Sequence, residues 1–120
     1  MRRCWIHTHI NGKYNASKLA VLVTIWYFCT YKHFRGLTPR EIEAFSGEKA
    51  AYLRCRLPMF VNSRKLWAHA YLKRRWIAKN GYPEYSYSLT AYGKRWLFDK
   101  ADRPIVQAMA DTLAPIWGRY

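Results

Sequence analysis

The chain is poor in acidic residues: seven aspartates and glutamates stand against 21 lysines and arginines, which gives a formal net charge of +14. Between Glu48 and Glu84 there is no acidic residue at all. Solubility alone does not require so large an excess, and nucleic acid is the polyanion whose counterion release would favour binding. A membrane surface would also require an amphipathic basic helix, and we find none in the sequence. We therefore expect no membrane association.

Cysteine is scarce as well. Cys4, Cys29 and Cys55 are an odd number at irregular spacing, which argues against the disulfide framework of a secreted domain and favours the reducing cytoplasm. The longest apolar run, residues 19–31, falls short of the roughly 20 residues that cross a bilayer. We interpret it as a buried helix, and we expect no signal peptide because the basic N-terminal segment lacks a small-residue cleavage site.

Catalytic signatures are missing. The seven acids are scattered, and the sequence has neither a glycine-rich phosphate loop nor a nucleophile with an evident base, so we predict that the protein is not an enzyme. Some residues are of types that zinc accepts, but their spacing matches no zinc finger: Cys4, His7 and His9, with Cys29 and His33 one helical turn apart. We expect no metal and no other cofactor.

A regular order of elements is present instead. Residues 1–14 show no lasting period and are expected to form an arm or a short strand. An apolar helix is predicted from Ala16 to about Phe34, with a stop at residues 35–36. Residues 38–41 (TPRE) combine a hydroxyl cap, a proline at the first helical position and a glutamate three residues after the cap. This capping box predicts a short second helix that ends at the turn of residues 46–47.

A third helix is predicted to begin at Glu48. Its apolar positions recur at intervals of four and three residues and are expected to face inward: Leu53, Leu57 and Phe60. Pro58 leaves two versions open. It kinks a helix of about residues 48–61, or it marks a break before a later helix that starts near Ser63.

A β-hairpin follows in the sequence. Two aromatic-rich strands, residues 76–79 and 85–89, flank a turn at residues 80–83. Thr90 can cap a fourth helix, and residues 102–104 open a fifth. The fifth helix has an apolar stripe that suggests a dimer face: Ile105, Met109 and Leu113.

This order resembles the winged helix-turn-helix of MarR-like and PadR-like transcription regulators over roughly residues 16–101. Residues 87–93 (YSLTAYG) are similar to the Y-x-L-T-x-x-G signature where the second wing strand passes into the next helix. Residues 38–43 resemble the opening of the helix before the recognition helix. The stretch from Phe60 to Trp76 is longer than the usual link, so the first wing strand begins either near Ala70 or near Trp76.

The resemblance implies an α+β, mostly helical fold with a small β-hairpin wing. The winged-helix domain would be residues 15–101. The lack of a period at residues 1–14 predicts an N-terminal arm, and the apolar stripe in residues 102–120 predicts a C-terminal helix that serves in dimerisation. The resemblance also implies sequence-specific binding of double-stranded DNA, commonly as a homodimer.

The acid-free segment then divides into two predicted groups. The recognition helix is expected to read bases in the major groove, where arginine can bind guanine and asparagine can bind adenine in a bidentate manner. The residues assigned to it are Lys49, Tyr52, Arg54, Arg56 and Asn62. Phosphate and minor-groove contacts are expected from the backbone-contacting and wing residues: Arg64, Lys65, Lys73, Arg74, Arg75, Lys79, Asn80, Gly81 and Tyr82.

The leading hypothesis is thus a cytoplasmic transcription regulator that binds specific duplex sequences as a homodimer. One alternative is a non-specific architectural or replication-associated DNA-binding protein on the same fold. A second is a protein-interaction module that docks an acidic partner. The rings of Tyr82, Tyr85 and Tyr87 raise a further rival, the stacking of single-stranded bases. The target sequence, any effector and the direction of regulation do not follow from the sequence.

Overall fold

The computed structural model describes residues 16–61, 70–79, 81–100 and 103–118. Within these ranges the chain is α+β and mostly helical, with five α-helices and a two-stranded antiparallel hairpin. The elements, in chain order, are α1 (Ala16–Tyr31), α2 (Pro39–Ser46), α3 (Ala50–Val61), β1 (Leu72–Lys79), β2 (Tyr82–Leu89), α4 (Ala91–Arg95) with a π-helical turn (Trp96–Lys100), and α5 (Arg103–Trp117). None of the helices in the described part is long and apolar enough to cross a membrane.

Helix α1 is the centre of the core. It packs against α2, α5 and β2, and residues 19–23 have no solvent-exposed surface. A helix that is apolar on all sides has to be enclosed by its neighbours, and the prediction of a buried first helix is confirmed. The helix ends at Tyr31, three residues before Phe34, because the backbone of His33 has a φ of 61° and leaves the helical path.

The predicted capping box of α2 is confirmed. The hydroxyl of Thr38 accepts a hydrogen bond from the Glu41 amide at 3.4 Å, and the Glu41 carboxylate accepts one from the Thr38 amide at 2.9 Å. At the other end Gly47 has a φ of 74° and donates its amide to the carbonyl oxygen of Glu43 at 3.2 Å. Glycine adopts this left-handed conformation without steric cost, and the helix stops there.

Helix α3 continues through Pro58 to Val61. Proline leaves the carbonyl group of Arg54 without its intrahelical donor, and both residues are solvent-exposed, so water can supply that hydrogen bond. The prediction that the apolar residues of this helix face inward is confirmed, since Leu53, Leu57 and Phe60 are buried. The alternative helix near residue 63 lies outside the described residues.

The hairpin is longer than expected. Strand β1 begins at Leu72, near the earlier of the two predicted starts, and pairs from Leu72 opposite Leu89 to Lys79 opposite Tyr82. Tyr82 and Pro83 therefore belong to β2 and not to the turn, which was predicted too wide. Gly81, which directly precedes β2, has a φ of 81°, the left-handed conformation that glycine provides in tight hairpin turns.

An isolated bridge ties the segment between α1 and α2 to the hairpin. The Leu37 amide donates to the carbonyl oxygen of Tyr87 at 2.9 Å, and the Tyr87 amide donates to that of Leu37 at 2.8 Å. Both hydrogen bonds are short and both residues are buried. The bridge therefore fixes the position of the start of α2 relative to strand β2.

Helix α5 belongs to this core. Met109 and Leu113 are fully buried against the chain itself, and α5 packs on α1 and α2. The stripe that suggested a dimer face is thus already covered at these two positions, and it offers no free surface there. The side chain of Ile105 lies outside the described residues, as do the predicted arm of residues 1–14 and the candidate ligands Cys4, His7 and His9.

Candidate nucleic-acid interface

Three of the five predicted recognition residues are exposed on α3 or directly before it: Lys49, Arg54 and Arg56. The helix begins at Ala50, two residues after the predicted start at Glu48, so Lys49 precedes it. Because Leu53 and Leu57 face inward and residues two positions apart lie on different sides of a helix, Arg54 and Arg56 extend from opposite flanks of α3. Asn62 lies outside the described residues.

Tyr52 does not share that outward orientation. Its side chain is half-buried, and its enclosed hydroxyl has no hydrogen-bond partner among the described residues. Burial, together with the negative charge of Glu48, raises the pKa of Tyr52 to about 12, with a smaller opposing effect from Arg56. The hydroxyl is therefore protonated and turned into the protein, where it does not reach a base.

A groove of about 320 Å³ separates α3 from α2 and β2. Arg54 lines it from α3, Arg40 from α2 and Tyr87 from β2, and Glu43 is the one acidic residue among the described lining residues. Arg40 was not among the predicted site residues, because it lies before the acid-free window that drew attention to the others. Only the packing of α2 on α3 brings it next to Arg54.

One face of the hairpin extends this surface. Side chains alternate between the two faces of a strand, so Arg74 and Trp76 share a face with their cross-strand partners Tyr87 and Tyr85. The Arg74 guanidinium carbon lies 4.1 Å from the ring centroid of Tyr85, and the rings of Trp76 and Tyr85 meet edge to face at 4.4 Å. Trp76 is 61% exposed and was not predicted as a site residue.

Lys73 and Arg75 belong to the other face, opposite Ser88 and Ser86. The run of residues 73–75 is therefore divided between two surfaces, whereas it was expected to make a single set of phosphate contacts. The expected strand began at Trp76, so the alternation that separates these three side chains was not applied to them. All three residues nevertheless line one cleft beside α1, to which Arg74 contributes from the opposite strand face.

The remaining wing predictions concern the hairpin end. Gly81 is exposed at the tip. Lys79 and Tyr82 are paired across the last rung of the hairpin, and their side chains lie outside the described part of the chain. The same applies to the whole of Arg64, Lys65 and Asn80.

Two of the three tyrosines predicted to stack bases are not free to do so, and the side chain of the third, Tyr82, lies outside the described part of the chain. Tyr87 is buried against the bridge with Leu37, and Tyr85 lies beneath Arg74. The described surface thus offers Trp76, and not Tyr85 or Tyr87, to a nucleic-acid base.

The cysteines and histidines form no metal site in the described ranges, where no group of three or more metal-ligating residue types comes together. Cys29 is half-buried, and burial raises the pKa of its thiol against a smaller lowering by Lys94. Cys55 is exposed on α3.

No protein-family model matches this chain, and neither does any curated protein or solved structure.

Proposed function

We propose that the chain is a winged-helix transcription regulator that binds specific sequences of double-stranded DNA. The contact surface is the outer face of α3, the adjacent groove with α2, and the hairpin face of Arg74 and Trp76, together called the α3 surface. The observation that carries the proposal is the set of exposed cations on and beside α3: Arg54 and Arg56 extend from the two flanks of a helix that the core holds in place, and Lys49 directly precedes its first residue.

The geometry of the surface supports insertion into a major groove. A helix fits that groove, and arginines on its outer face can donate to the O6 and N7 atoms of guanine. Arg54 and Arg56 extend from the two flanks of the exposed side of α3, and both side chains are exposed to solvent. Arg40 and Lys49 flank them and suit phosphate contacts, which position the helix without reading sequence.

The hairpin supports a second contact beside the helix. Arg74 is held over the ring of Tyr85, and a guanidinium stacked on an aromatic ring is partly pre-oriented, which lowers the ordering cost of binding. The bridge of Leu37 with Tyr87 connects this hairpin to the start of α2. Helix and hairpin would thus meet the duplex as one rigid unit.

The proposal uses a single copy of the chain. A homodimer was expected from the stripe on α5, but Met109 and Leu113 are enclosed by the chain's own core. A second copy would have to pair through other side chains.

Selection of bound duplexes from a random pool, followed by affinity measurements across salt, tests the proposal. Two double variants that each remove two exposed positive charges serve as a matched pair: Arg54→Gln/Arg56→Gln on the α3 surface and Lys73→Gln/Lys94→Gln elsewhere. We expect the pool to converge and the α3 variant to lose about 1–3 kcal/mol per arginine on the selected duplex. We expect the second variant to lose only a small, salt-screened amount.

Equal losses in the two variants would contradict the proposed surface. A pool that binds without converging would favour the non-specific architectural alternative, for which all duplexes are equivalent. Absence of any DNA binding would favour the module that docks an acidic protein partner.

The exposed ring of Trp76 favours a second candidate function, binding of single-stranded nucleic acid. A tryptophan that is 61% exposed beside a cationic side chain has the chemistry of a stacking platform. The two candidates differ in which residue dominates the affinity, Trp76 or the arginines of α3.

A further inference from the structure

A second basic surface lies on the other side of the hairpin. It is a cleft of about 450 Å³, bounded by the last turns of α1, the Lys73 face of the hairpin, and α4. Arg74 contributes to the lining, although its guanidinium lies over Tyr85. This basic cleft differs from the α3 surface in Lys73 and Arg75, which point away from the strand face that carries Trp76, and Arg74 borders both.

Four exposed cationic side chains line the basic cleft: Arg35, Lys73, Arg75 and Lys94. They come from three separate parts of the chain, namely the segment after α1, strand β1 and helix α4. No aspartate or glutamate is among the described lining residues. Like charges that converge on one concave space repel each other, and an anionic ligand would relieve that repulsion.

The wall formed by α1 has a different character. Trp26 and Cys29 are half-buried there, and Thr30 is exposed. The last carbonyl groups of a helix carry partial negative charge, so this end of the basic cleft disfavours phosphate and favours an aromatic or hydrogen-bond-donating group. The basic cleft is therefore polarised, with an aromatic wall facing a cationic one.

The floor of the basic cleft limits the size of the ligand. Ser86 is 5% exposed and Leu89 is buried, so a convex, rigid duplex does not reach them. The volume falls in the range of small-molecule sites, about 300–1,000 Å³. A compact ligand can reach the floor, which Ser86 and the half-buried Ser88 also line.

We propose that the basic cleft binds a small organic polyphosphate with an aromatic ring, of the nucleoside di- or triphosphate class. The phosphates contact Lys73, Arg75 and Lys94, and the ring lies against Trp26. The site goes beyond the proposed DNA binding and does not depend on it, because the cations assigned to the phosphates, Lys73, Arg75 and Lys94, are not part of the α3 surface.

Calorimetric titration of the whole chain at physiological salt tests this proposal, with ATP as the probe and with tripolyphosphate and adenosine as its two halves. The cleft variant is Lys73→Gln/Lys94→Gln, and the matched control is Arg54→Gln/Arg56→Gln. Both remove two exposed charges, so the general positive potential falls equally. Unfolding curves of both variants establish that each is folded.

We expect ATP to bind the unchanged chain more tightly than either half does. The cleft variant should lose at least about tenfold in ATP affinity, since it removes two charge-assisted contacts. The control should keep its ATP affinity while losing affinity for duplex DNA. Absence of DNA binding would contradict the proposed function but would not affect the measured ATP affinity. The two proposals can therefore be tested independently.

Three outcomes would overturn the small-ligand site. The first is no measurable ATP binding, and the second is an equal loss in both variants, which would reduce the effect to net charge. The third is a short single-stranded oligonucleotide that binds more tightly than ATP and is weakened more by the cleft variant. That result would assign the basic cleft to a nucleic-acid strand instead.

Discussion

The indole Nε1–H of Trp117 donates a hydrogen bond to the carbonyl oxygen of Phe45 at 3.0 Å. This contact joins the end of α5 to the last turn of α2. Around it the ring of Trp117 stacks on Tyr27 at 4.3 Å, and the ring of Phe45 stacks on Phe28 at 4.1 Å. The C-terminal helix is thus an integral part of the core that supports the α3 surface.

Replacement of this tryptophan is expected to destabilise the fold. Trp117→Phe removes the indole hydrogen bond to the Phe45 carbonyl oxygen, a net loss of about 0.5–1.5 kcal/mol, and the smaller ring adds a cavity. The free energy of unfolding in urea measures the loss. The control is Trp76→Phe at an exposed position, for which we expect a change within about 0.5 kcal/mol. Equal effects would contradict the role of α5 in the core.

Gly93 lies in α4, where alanine would ordinarily stabilise a helix by up to about 1 kcal/mol. Here a Cβ atom would overlap the carbonyl oxygen of Tyr71. That carbonyl group cannot easily move, because it accepts a hydrogen bond from the Thr90 amide at 3.1 Å. We therefore expect Gly93→Ala to destabilise the chain by about 1–3 kcal/mol, as overpacking does.

Thermal or urea unfolding of Gly93→Ala measures this effect, and Gly118→Ala is the matched control. A Cβ at Gly118 would meet its nearest neighbour, the carbonyl oxygen of Ala114, at an ordinary 3.5 Å. A gain in stability at Gly93 would show that Tyr71 yields easily. The close approach of Gly93 to the Tyr71 carbonyl oxygen would then not explain why residue 93 is a glycine.

Tyr52 is expected to make folding sensitive to alkaline pH. Its pKa in the folded chain is about 12, above the ordinary 10.0, so the folded state holds the proton more tightly than the unfolded state. Its contribution to stability is complete below pH 10 and is lost as the pH rises towards about 12. Urea midpoints of Tyr52→Phe should therefore fall less steeply than those of the unchanged chain over this interval.

The same variant also tests the placement of the ring. At neutral pH, Tyr52→Phe should leave stability unchanged or raise it, because it removes an enclosed hydroxyl that has no partner among the described residues. Affinity for duplex DNA should not change. A clear loss of DNA affinity would mean that the hydroxyl reaches the nucleic acid after all.

The features that could be predicted from the sequence are those formed by residues close together along the chain. The capping box of Thr38 with Glu41 and the inward face of Leu53 and Leu57 depend on residues within one or two helical turns of each other. Such signals are complete in the sequence, because the partner residues lie within a few positions along the chain. The predicted Thr90 cap is confirmed in the same way, since its hydroxyl accepts a hydrogen bond from the Gly93 amide at 2.9 Å.

Features that depend on residues far apart in the sequence could not be predicted from it. An apolar stripe does not reveal whether it covers its own core or a second copy, and Met109 turned out to face the core. The strand period in residues 72–79 (LKRRWIAK) is hidden because cations occupy both faces. The convergence of Arg35 and Lys94 in the basic cleft depends on the packing of α1 and α4 beside the hairpin, which no local pattern records.

Trp76 distinguishes duplex binding from single-strand binding. Base stacking on an exposed aromatic ring contributes about 1–3 kcal/mol per base, whereas duplex bases are already stacked on each other. If the α3 surface binds duplex DNA, Trp76→Ala should cost well under about 1 kcal/mol on a selected duplex, less than Arg54→Gln. Fluorescence anisotropy with a duplex and with either separated strand measures both, and Tyr31→Ala, another exposed aromatic, controls for general loss of apolar surface. A larger loss for Trp76→Ala than for Arg54→Gln, confined to the single strand, would make single-stranded nucleic acid the ligand of this face.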